Sequence, residues 1–306
     1  MDRLSVGTRG SPLALRQAEL VVERLKALRP GIQVEIIPVR TAGDRLTEVA
    51  LAEFGGKGLF VKEIEEALLD GRVDLAVHSL KDLPAELPAG LCLAAFPPRE
   101  DPRDVLVSRL GGGLADLPRS ALVGTSSLRR RAQLLSARPD LSIESIRGNV
   151  DTRLRKLSDR RFDAIVVAAA GLRRLGLAPD TACPLPPDEF IPAVGQGILA
   201  LEARAGDGSV LELVRGLDHL ETRWQAEAER AFLLHLGGSC YTPLAAHATV
   251  HDGGLRLVGM VASPDGREMI RGEVSGACAA AALLGQKLAE DLKARGARLL
   301  LDGTRA

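Results

Sequence analysis

Leu4-Ser5-Val6-Gly7-Thr8-Arg9-Gly10-Ser11-Pro12-Leu13 decides how the rest of the chain is read, because it packs a strand, a turn and a helix start into one short run. Leu4 to Thr8 is extended. Ser11 offers an N-cap oxygen, Pro12 has its φ preset for the first helical position, and apolar residues recur with helical period from Leu13 to Leu28. Val34 to Val39 reads as a second strand. Gly55-Gly56-Lys57-Gly58 then breaks the chain before a helix from about Phe60 to Leu69, and Asp74 to Ser79 reads as a third, buried strand. Strands alternating with helices predict a mostly parallel sheet, so the fold class is α/β.

The plan recurs further on. Val123-Gly124-Thr125-Ser126-Ser127, followed by a helix from Leu128, echoes Val6 to Ser11 and its helix. Arg161 to Val167 echoes Arg72 to Val77. Two copies of one α/β unit account for both echoes; chance likeness between amphipathic βα units is the plainer alternative. Pro97-Pro98-Arg99-Glu100-Asp101-Pro102 marks a passage between domains, and Pro184 to Pro187 with Ile191 to Gly197 marks the return. The expected layout is residues 1–98 as one α/β domain completed by 193–217, residues 99–192 as a second, basic one, and residues 218–306 as a small α+β domain. Two lobes on a hinge would place strand ends and helix N-termini of both around a cleft. The last part reads as a long helix from Leu217 to Leu236 and three short strands (Ala246 to Val250, Leu255 to Ala262, Glu268 to Val274). Asp252-Gly253-Gly254 and Ser263-Pro264-Asp265-Gly266 supply the turns, and a closing helix spans about Ala277 to Arg295.

Bulk properties narrow the function. The chain has 306 residues, enough for two or three domains, and 46% apolar residues, enough for their cores. Aromatics at 3% leave no stacking platform for single-stranded nucleic acid, and a net charge of +0 argues against a general polyanion binder. No basic-then-apolar leader opens the chain and no run approaches a membrane span, so a cytoplasmic protein is expected. The four cysteines, Cys92, Cys183, Cys240 and Cys278, form no CxxC pair, which speaks against a zinc site or a disulfide framework. Cys92, Cys183 and Cys278 read as small buried hydrophobes; Cys240 sits in a loop after a helix end, where a thiol is placed to carry a covalent group.

The second lobe concentrates arginine: Arg129, Arg130 and Arg131, then Arg147, Arg153, Arg155, Arg160, Arg161, Arg173 and Arg174, with Lys156 among them. Three consecutive arginines on a helix cannot share a face, so at least one must point to solvent. Most arginines merely solubilise a surface. Arg129 and Arg130, however, come one residue after Gly124-Thr125-Ser126-Ser127, whose backbone N–H groups form an anion seat at a helix start, and Arg147-Gly148-Asn149 ends a strand. Guanidinium forks there suit carboxylates or phosphates. In the first lobe, His78-Ser79-Leu80-Lys81-Asp82-Leu83-Pro84 places a cation and an acid side by side after a buried strand. A surface turn is one reading and a cleft acid beside an anion-binding lysine the other. The Gly55 to Gly58 loop lacks the GK[ST] ending of a nucleotide-binding loop.

Taken in order, these segments resemble the hydroxymethylbilane synthase (porphobilinogen deaminase) family. The matching stretches are Thr8 to Leu15, Gly55 to Phe60, Ala76 to Pro84, Arg99 to Asp104, Val123 to Arg130, Arg147 to Arg153, Ala193 to Gly197 and the Cys240 loop, which together span nearly the whole chain. The resemblance implies two lobes like those of periplasmic binding proteins plus a small C-terminal α+β domain. It also implies a dipyrromethane cofactor held by a thioether to Cys240. Four porphobilinogen molecules would be added in turn, each losing ammonia to give an electrophilic azafulvene, before hydrolysis releases the linear tetrapyrrole. By the same resemblance Asp82 is the catalytic carboxylate. Lys81, Ser79, Asp82, Thr125, Ser127, Arg129, Arg130, Arg147 and Gly148 match cofactor-binding positions. Arg9, Ser11, Gln17, Lys57, Phe60, Arg147, Arg153, Arg174 and Gln196 match substrate-binding ones. No metal is implied; porphobilinogen and its polypyrrole products are the partners, with no nucleic acid and no membrane, and the enzyme is expected to be a monomer. Glu53, where relatives carry a basic residue, and Ser239 and Tyr241 beside the cysteine depart from the family pattern. Two rivals remain. A non-catalytic solute-binding module predicts no covalent adduct, and a pyridoxal-phosphate enzyme would use Lys81 as a Schiff base.

Overall fold

The computed structural model describes residues 1–41, 61–238 and 242–302. The chain forms two compact units, Met1–Glu100 with Ile198–Arg223, and Asp101–Gly197 with Trp224–Ala306.

In the first unit the strand Arg3–Arg9 lies between Gln33–Val39 and Leu75–Ser79 and runs parallel to both. Next comes Leu199–Arg204, antiparallel to Leu75–Ser79, and then Leu91–Ala95 at the edge. Helix Pro12–Leu28 starts where Ser11 caps it: its Oγ accepts from the Ala14 N–H at 3.3 Å and Pro12 takes the first helical position. Its apolar stripe, Ala18, Val21, Val22 and Leu25, packs on Leu4, Val6, Val77 and Leu201. Helix Lys62–Leu69 covers the other face with Ile64, Ala67 and Leu68 against Val73 and Ala76. It was expected to begin near Phe60; Phe60 and the Gly55 to Gly58 loop lie outside the described residues.

The second unit repeats the design. Leu122–Gly124 lies between Ser142–Glu144 and Ala164–Ala168, parallel to both. Asp104–Ser108 follows, antiparallel to Ala164–Ala168, and Ala182–Pro184 closes the edge. The likeness reaches single residues. Asp74 accepts from the Ser5 N–H at 2.9 Å and meets Arg204 at 3.3 Å. Asp163 accepts from the Leu122 N–H at 2.8 Å and meets Arg109. The residue before each aspartate lies over a strand glycine, so that a Cβ added to Gly7 would stand 3.1 Å from Val73 and one added to Gly124 would stand 3.0 Å from Phe162. The expected repeat is therefore present. In each sheet the antiparallel inner strand, Leu199–Arg204 or Asp104–Ser108, begins within a few residues of a unit boundary; neither strand was foreseen.

The rest of the second unit is a three-stranded antiparallel sheet, Leu244–His251, Gly254–Ala262 and Met269–Ala277, with helix Ala281–Ala294 and, from Trp224 on, helix Leu220–Leu236. Asp252 (φ 49°) and Gly253 (φ 74°) make the tight turn expected between the first two strands. The closing helix begins at Ala281 rather than Ala277, because the third strand runs on to pair Ala277 with Gly254. A further helix, Ala297–Asp302, was not expected. Cys278 is buried as anticipated, whereas Cys92 and Cys183 are only half-buried. Among the described residues no helix is long and apolar enough to cross a membrane.

Candidate active site

In the first unit the residues of interest gather at the C-terminal end of the parallel strands. Thr8 is buried, its hydroxyl donating to the Ala14 carbonyl at 3.3 Å, and Arg9 ends the first strand beside the capping Ser11. Gln17, on the first helix, is also buried, and its Nε2 donates to Ser79 Oγ at 2.8 Å. Sequence spacing alone did not join these two. Beyond Ser79 the chain turns as a 3₁₀ helix, Leu80–Asp82. Leu80, buried at 2% exposure, anchors the turn, and its N–H donates to the Ile198 carbonyl at 3.0 Å. Lys81 and Asp82 are thereby held half-buried on a short, fixed turn at a strand end.

In the second unit Ser127 caps helix Leu128–Ala137, its Oγ accepting from the Arg130 N–H at 3.3 Å. Thr125 Oγ1 accepts from the Ser127 N–H at 3.2 Å. Of the three consecutive arginines, Arg129 and Arg130 are buried and Arg131 points to solvent. The buried pair converges on Asp104. Arg129 Nη1 donates to Asp104 Oδ2 at 2.7 Å, and Arg130 donates to Oδ1 through Nε at 2.9 Å and Nη2 at 2.7 Å. Arg129 also reaches the Ile191 carbonyl, and Arg130 the Val166 carbonyl. Gln196 Nε2 completes the cluster on Oδ1 at 3.0 Å and bonds the Pro102 carbonyl at 2.7 Å. Burial raises the Asp104 carboxyl, but the Arg129 and Arg130 charges outweigh it and hold the group well below the usual carboxylate range.

The remaining basic residues are placed separately. Gly148 has φ 107°, and a Cβ there would stand 2.7 Å from the Thr152 side chain, so the turn between Arg147 and helix Val150–Ser158 requires glycine. Arg153 Nε donates to the Gly148 carbonyl at 2.8 Å. Arg174, the last residue of helix Ala169–Arg174, donates to the Gly197 carbonyl at 2.7 Å. Lys57, Phe60 and Glu53, and also Ser239, Cys240 and Tyr241, lie outside the described residues.

Among the described residues, three buried carboxylate groupings went unread in the sequence. Asp104 is one. Glu229 is another: fully buried, it accepts from the Gly195 N–H at 2.6 Å and the Ala248 N–H at 2.8 Å, tying the Ala193 to Gly197 segment to the C-terminal sheet. The third lies in the first unit, where Glu65, His78 and Glu202 share one buried place and His78 Nε2 stands 3.0 Å from Glu202 Oε2. Burial and then the Glu202 charge push the Glu65 carboxyl up to about 7. The available signal was an acid inside an apolar stripe: Glu65 between Ile64 and Leu68, and Glu202 within Leu199-Ala200-Leu201-Glu202-Ala203.

Residues 4–212 match the family model "Porphobilinogen deaminase, dipyromethane cofactor binding domain", and residues 224–294 match "Porphobilinogen deaminase, C-terminal domain". A porphobilinogen deaminase of Syntrophotalea carbinolica is 54% identical over 97% of this chain and 95% of its own length. That of Syntrophobacter fumaroxidans is 51% identical over 98% and 97%. Among solved structures, a putative methionine-binding lipoprotein from Bacillus subtilis overlaps 71% of this chain and 90% of its own at a TM-score of 0.44 and 13% identity. Matched by two models of one family over most of its length and by relatives of nearly its own length, the chain belongs to the porphobilinogen deaminase family.

Proposed function

We propose that this chain carries out its family's reaction, the stepwise joining of four porphobilinogen molecules into hydroxymethylbilane with loss of ammonia, through the residues described above. The observation that carries the assignment is the buried pair Arg129 and Arg130. Two guanidiniums share one carboxylate at a helix N-terminus and leave a net positive charge in a water-poor place. A dipyrromethane bears acetate and propionate side chains, so this donor set fits it. When bound, that group supplies the pyrrole end to which each new unit is joined. A thioether to Cys240 would hold it, and Thr125, Ser127, Arg129, Arg130, Arg147, Gly148, Ser79 and Lys81 are the residues assigned to bind it.

Asp82 is the catalytic carboxylate. On its fixed turn it accepts from pyrrole N–H groups and offsets the positive charge that develops on porphobilinogen as ammonia departs. A carboxylate anchored in advance needs no reorganisation at that moment. Arg9, Ser11, Gln17, Lys57, Phe60, Arg153, Arg174 and Gln196 take up substrate, with Arg174 serving the incoming monomer. The first domain comprises residues 1–98 and 193–217, the second 99–192 and the third 218–306. The enzyme works as a monomer in the cytoplasm.

The test is an intact-protein mass. The wild-type chain, expressed with normal pyrrole supply, should exceed its sequence mass by one dipyrromethane. Cys240→Ser should lack the increment and all turnover. An adduct mapped by digestion to Cys92, Cys183 or Cys278 would overturn the assignment.

A further inference from the structure

The two sheets agree in strand order and in the sense of every pairing, though not in strand length, so positions are matched outward from equivalent residues. Counted from the matched Asp74 and Asp163, Leu199, opposite Ser79, corresponds to Asp104, opposite Ala168. Counted from the capping Ser11 and Ser127, Leu13 and Ala14 correspond to Arg129 and Arg130. The first unit therefore has three apolar side chains where the second has an acid and two arginines. The polar three are almost wholly enclosed, with Asp104 at 0%, Arg129 at 4% and Arg130 at 6% exposure. Taking such ions out of water costs much, and their mutual attraction repays it at best in part. Since the same frame folds with Leu13, Ala14 and Leu199, the fold does not ask for the ions.

Their arrangement answers another need. An unanchored arginine keeps several rotamers, whereas here each oxygen of one carboxylate orients a different guanidinium. Among the described residues, Arg129 donates only through Nη1, which leaves Nε and Nη2 for an anion. We propose that Asp104 is a positioning residue for the polymerisation: through Oδ2 it sets Arg129, and through Oδ1 Arg130 and Gln196, for the carboxylates of the pyrrole chain. This rests on the assignment of Arg129 and Arg130 to those carboxylates made above. Asp104 itself touches no substrate.

Full-length variants expressed with normal pyrrole supply would be compared by intact mass, thermal unfolding and steady-state kinetics. The triple variant Asp104→Leu, Arg129→Leu, Arg130→Ala copies the first unit. It should unfold within a few degrees of wild type yet carry no cofactor. Asp104→Asn should load less than half the wild-type cofactor. In its loaded fraction kcat should fall about tenfold or more while KM moves less, since mis-set guanidiniums chiefly lose transition-state contacts. Asp104→Glu should lie between the two. A merely structural aspartate would lower the unfolding temperature and leave the loaded fraction turning over normally.

A triple variant that fails to fold would show the cluster to be structural and overturn the proposal. Wild-type loading and kcat in Asp104→Asn, with Arg129→Leu and Arg130→Leu impaired, would overturn it while sparing the arginine assignment. Wild-type behaviour in both arginine variants would remove the assignment itself, and the proposal with it. Should Asp104→Asn not fold, Asp104→Glu decides: wild-type loading and kcat there would overturn positioning.

Discussion

The two sheets share their strand order and the sense of every pairing, yet they part where the third strand of each ends. In the first unit Ser79 runs into the 3₁₀ turn Leu80–Asp82. At the matching point of the second, Ala168 runs into helix Ala169–Arg174, with Ala170 where the first has Lys81 and Gly171 where it has Asp82. The arginines divide the other way, since the second unit buries Arg129 and Arg130 where the first has Leu13 and Ala14. The frame is held by apolar alternation and by the paired aspartates Asp74 and Asp163 inside each sheet. Groups placed beyond the strand ends can change without disturbing that frame. One duplicated unit has thus been given two characters, an acid-bearing one and a cation-bearing one.

Removing the acid should have the largest effect. Asp82→Asn keeps the size and one acceptor but loses the charge, so it should fold and retain the Cys240-linked cofactor while ammonia release falls about 100-fold or more. Asp82→Glu should keep a little activity, its charge shifted by one methylene. Near-normal turnover in loaded Asp82→Asn would place the catalytic carboxylate elsewhere and erase the contrast with Gly171.

The cationic side should respond in a different parameter. Arg174→Leu is expected to raise KM for porphobilinogen about tenfold with a smaller change in kcat, as loss of one charged contact to a bound carboxylate would do. Arg147→Leu should instead lower cofactor loading, read by mass. If both load and turn over like wild type, Arg147 and Arg174 take no part in binding and only the buried pair Arg129 and Arg130 is left to do so.

A smaller effect concerns pH, because only the first unit buries the Glu65, His78 and Glu202 group. The folded chain holds the Glu65 proton up to about pH 7, above the ordinary carboxylate value of 4.5. Between those values the folded state binds more protons than the unfolded one, so this group's contribution to stability falls as pH rises. Glu65→Gln removes the penalty. Its unfolding temperature should exceed wild type by a few degrees at pH 8 and match it at pH 4. Equal curves at both pH values would mean that Glu65 is already compensated within the cluster.

The least effect on catalysis, and the closest match between units, is expected at the paired aspartates. Asp74→Ala and Asp163→Ala each take the acceptor from a strand N–H and one ion-pair partner from an arginine, and each should cost about 1–3 kcal/mol of stability with kcat/KM unchanged in the folded fraction. Clearly unequal losses would show that the two frames are less alike in energy than in topology.

Much of this was legible in the chain itself. The Ser11-Pro12 start, the Ser127 cap and the Asp252-Gly253 turn are each encoded within a few residues, by φ preference and by a side-chain oxygen in reach of a nearby N–H. Three arginines in a row could not all be buried, and Arg131 is the one left to solvent. The ordered motifs, from Thr8-Arg9-Gly10-Ser11 to the Cys240 loop, named the family. What only the tertiary structure decided lies in long-range pairings. The inner strands Asp104–Ser108 and Leu199–Arg204 follow Pro- and Gly-rich passages that mark a crossing without saying which sheet the chain then joins, and their place depends on where the chain returns after a whole domain. Asp104 meets Arg129 from 25 residues away and Gln196 from 92. Helical and strand periods reach only the next turn or the next pleat, so they can say that a charged residue falls on a buried face. Which opposite charge waits there is settled by topology, because a buried ion survives only where the fold brings it a partner.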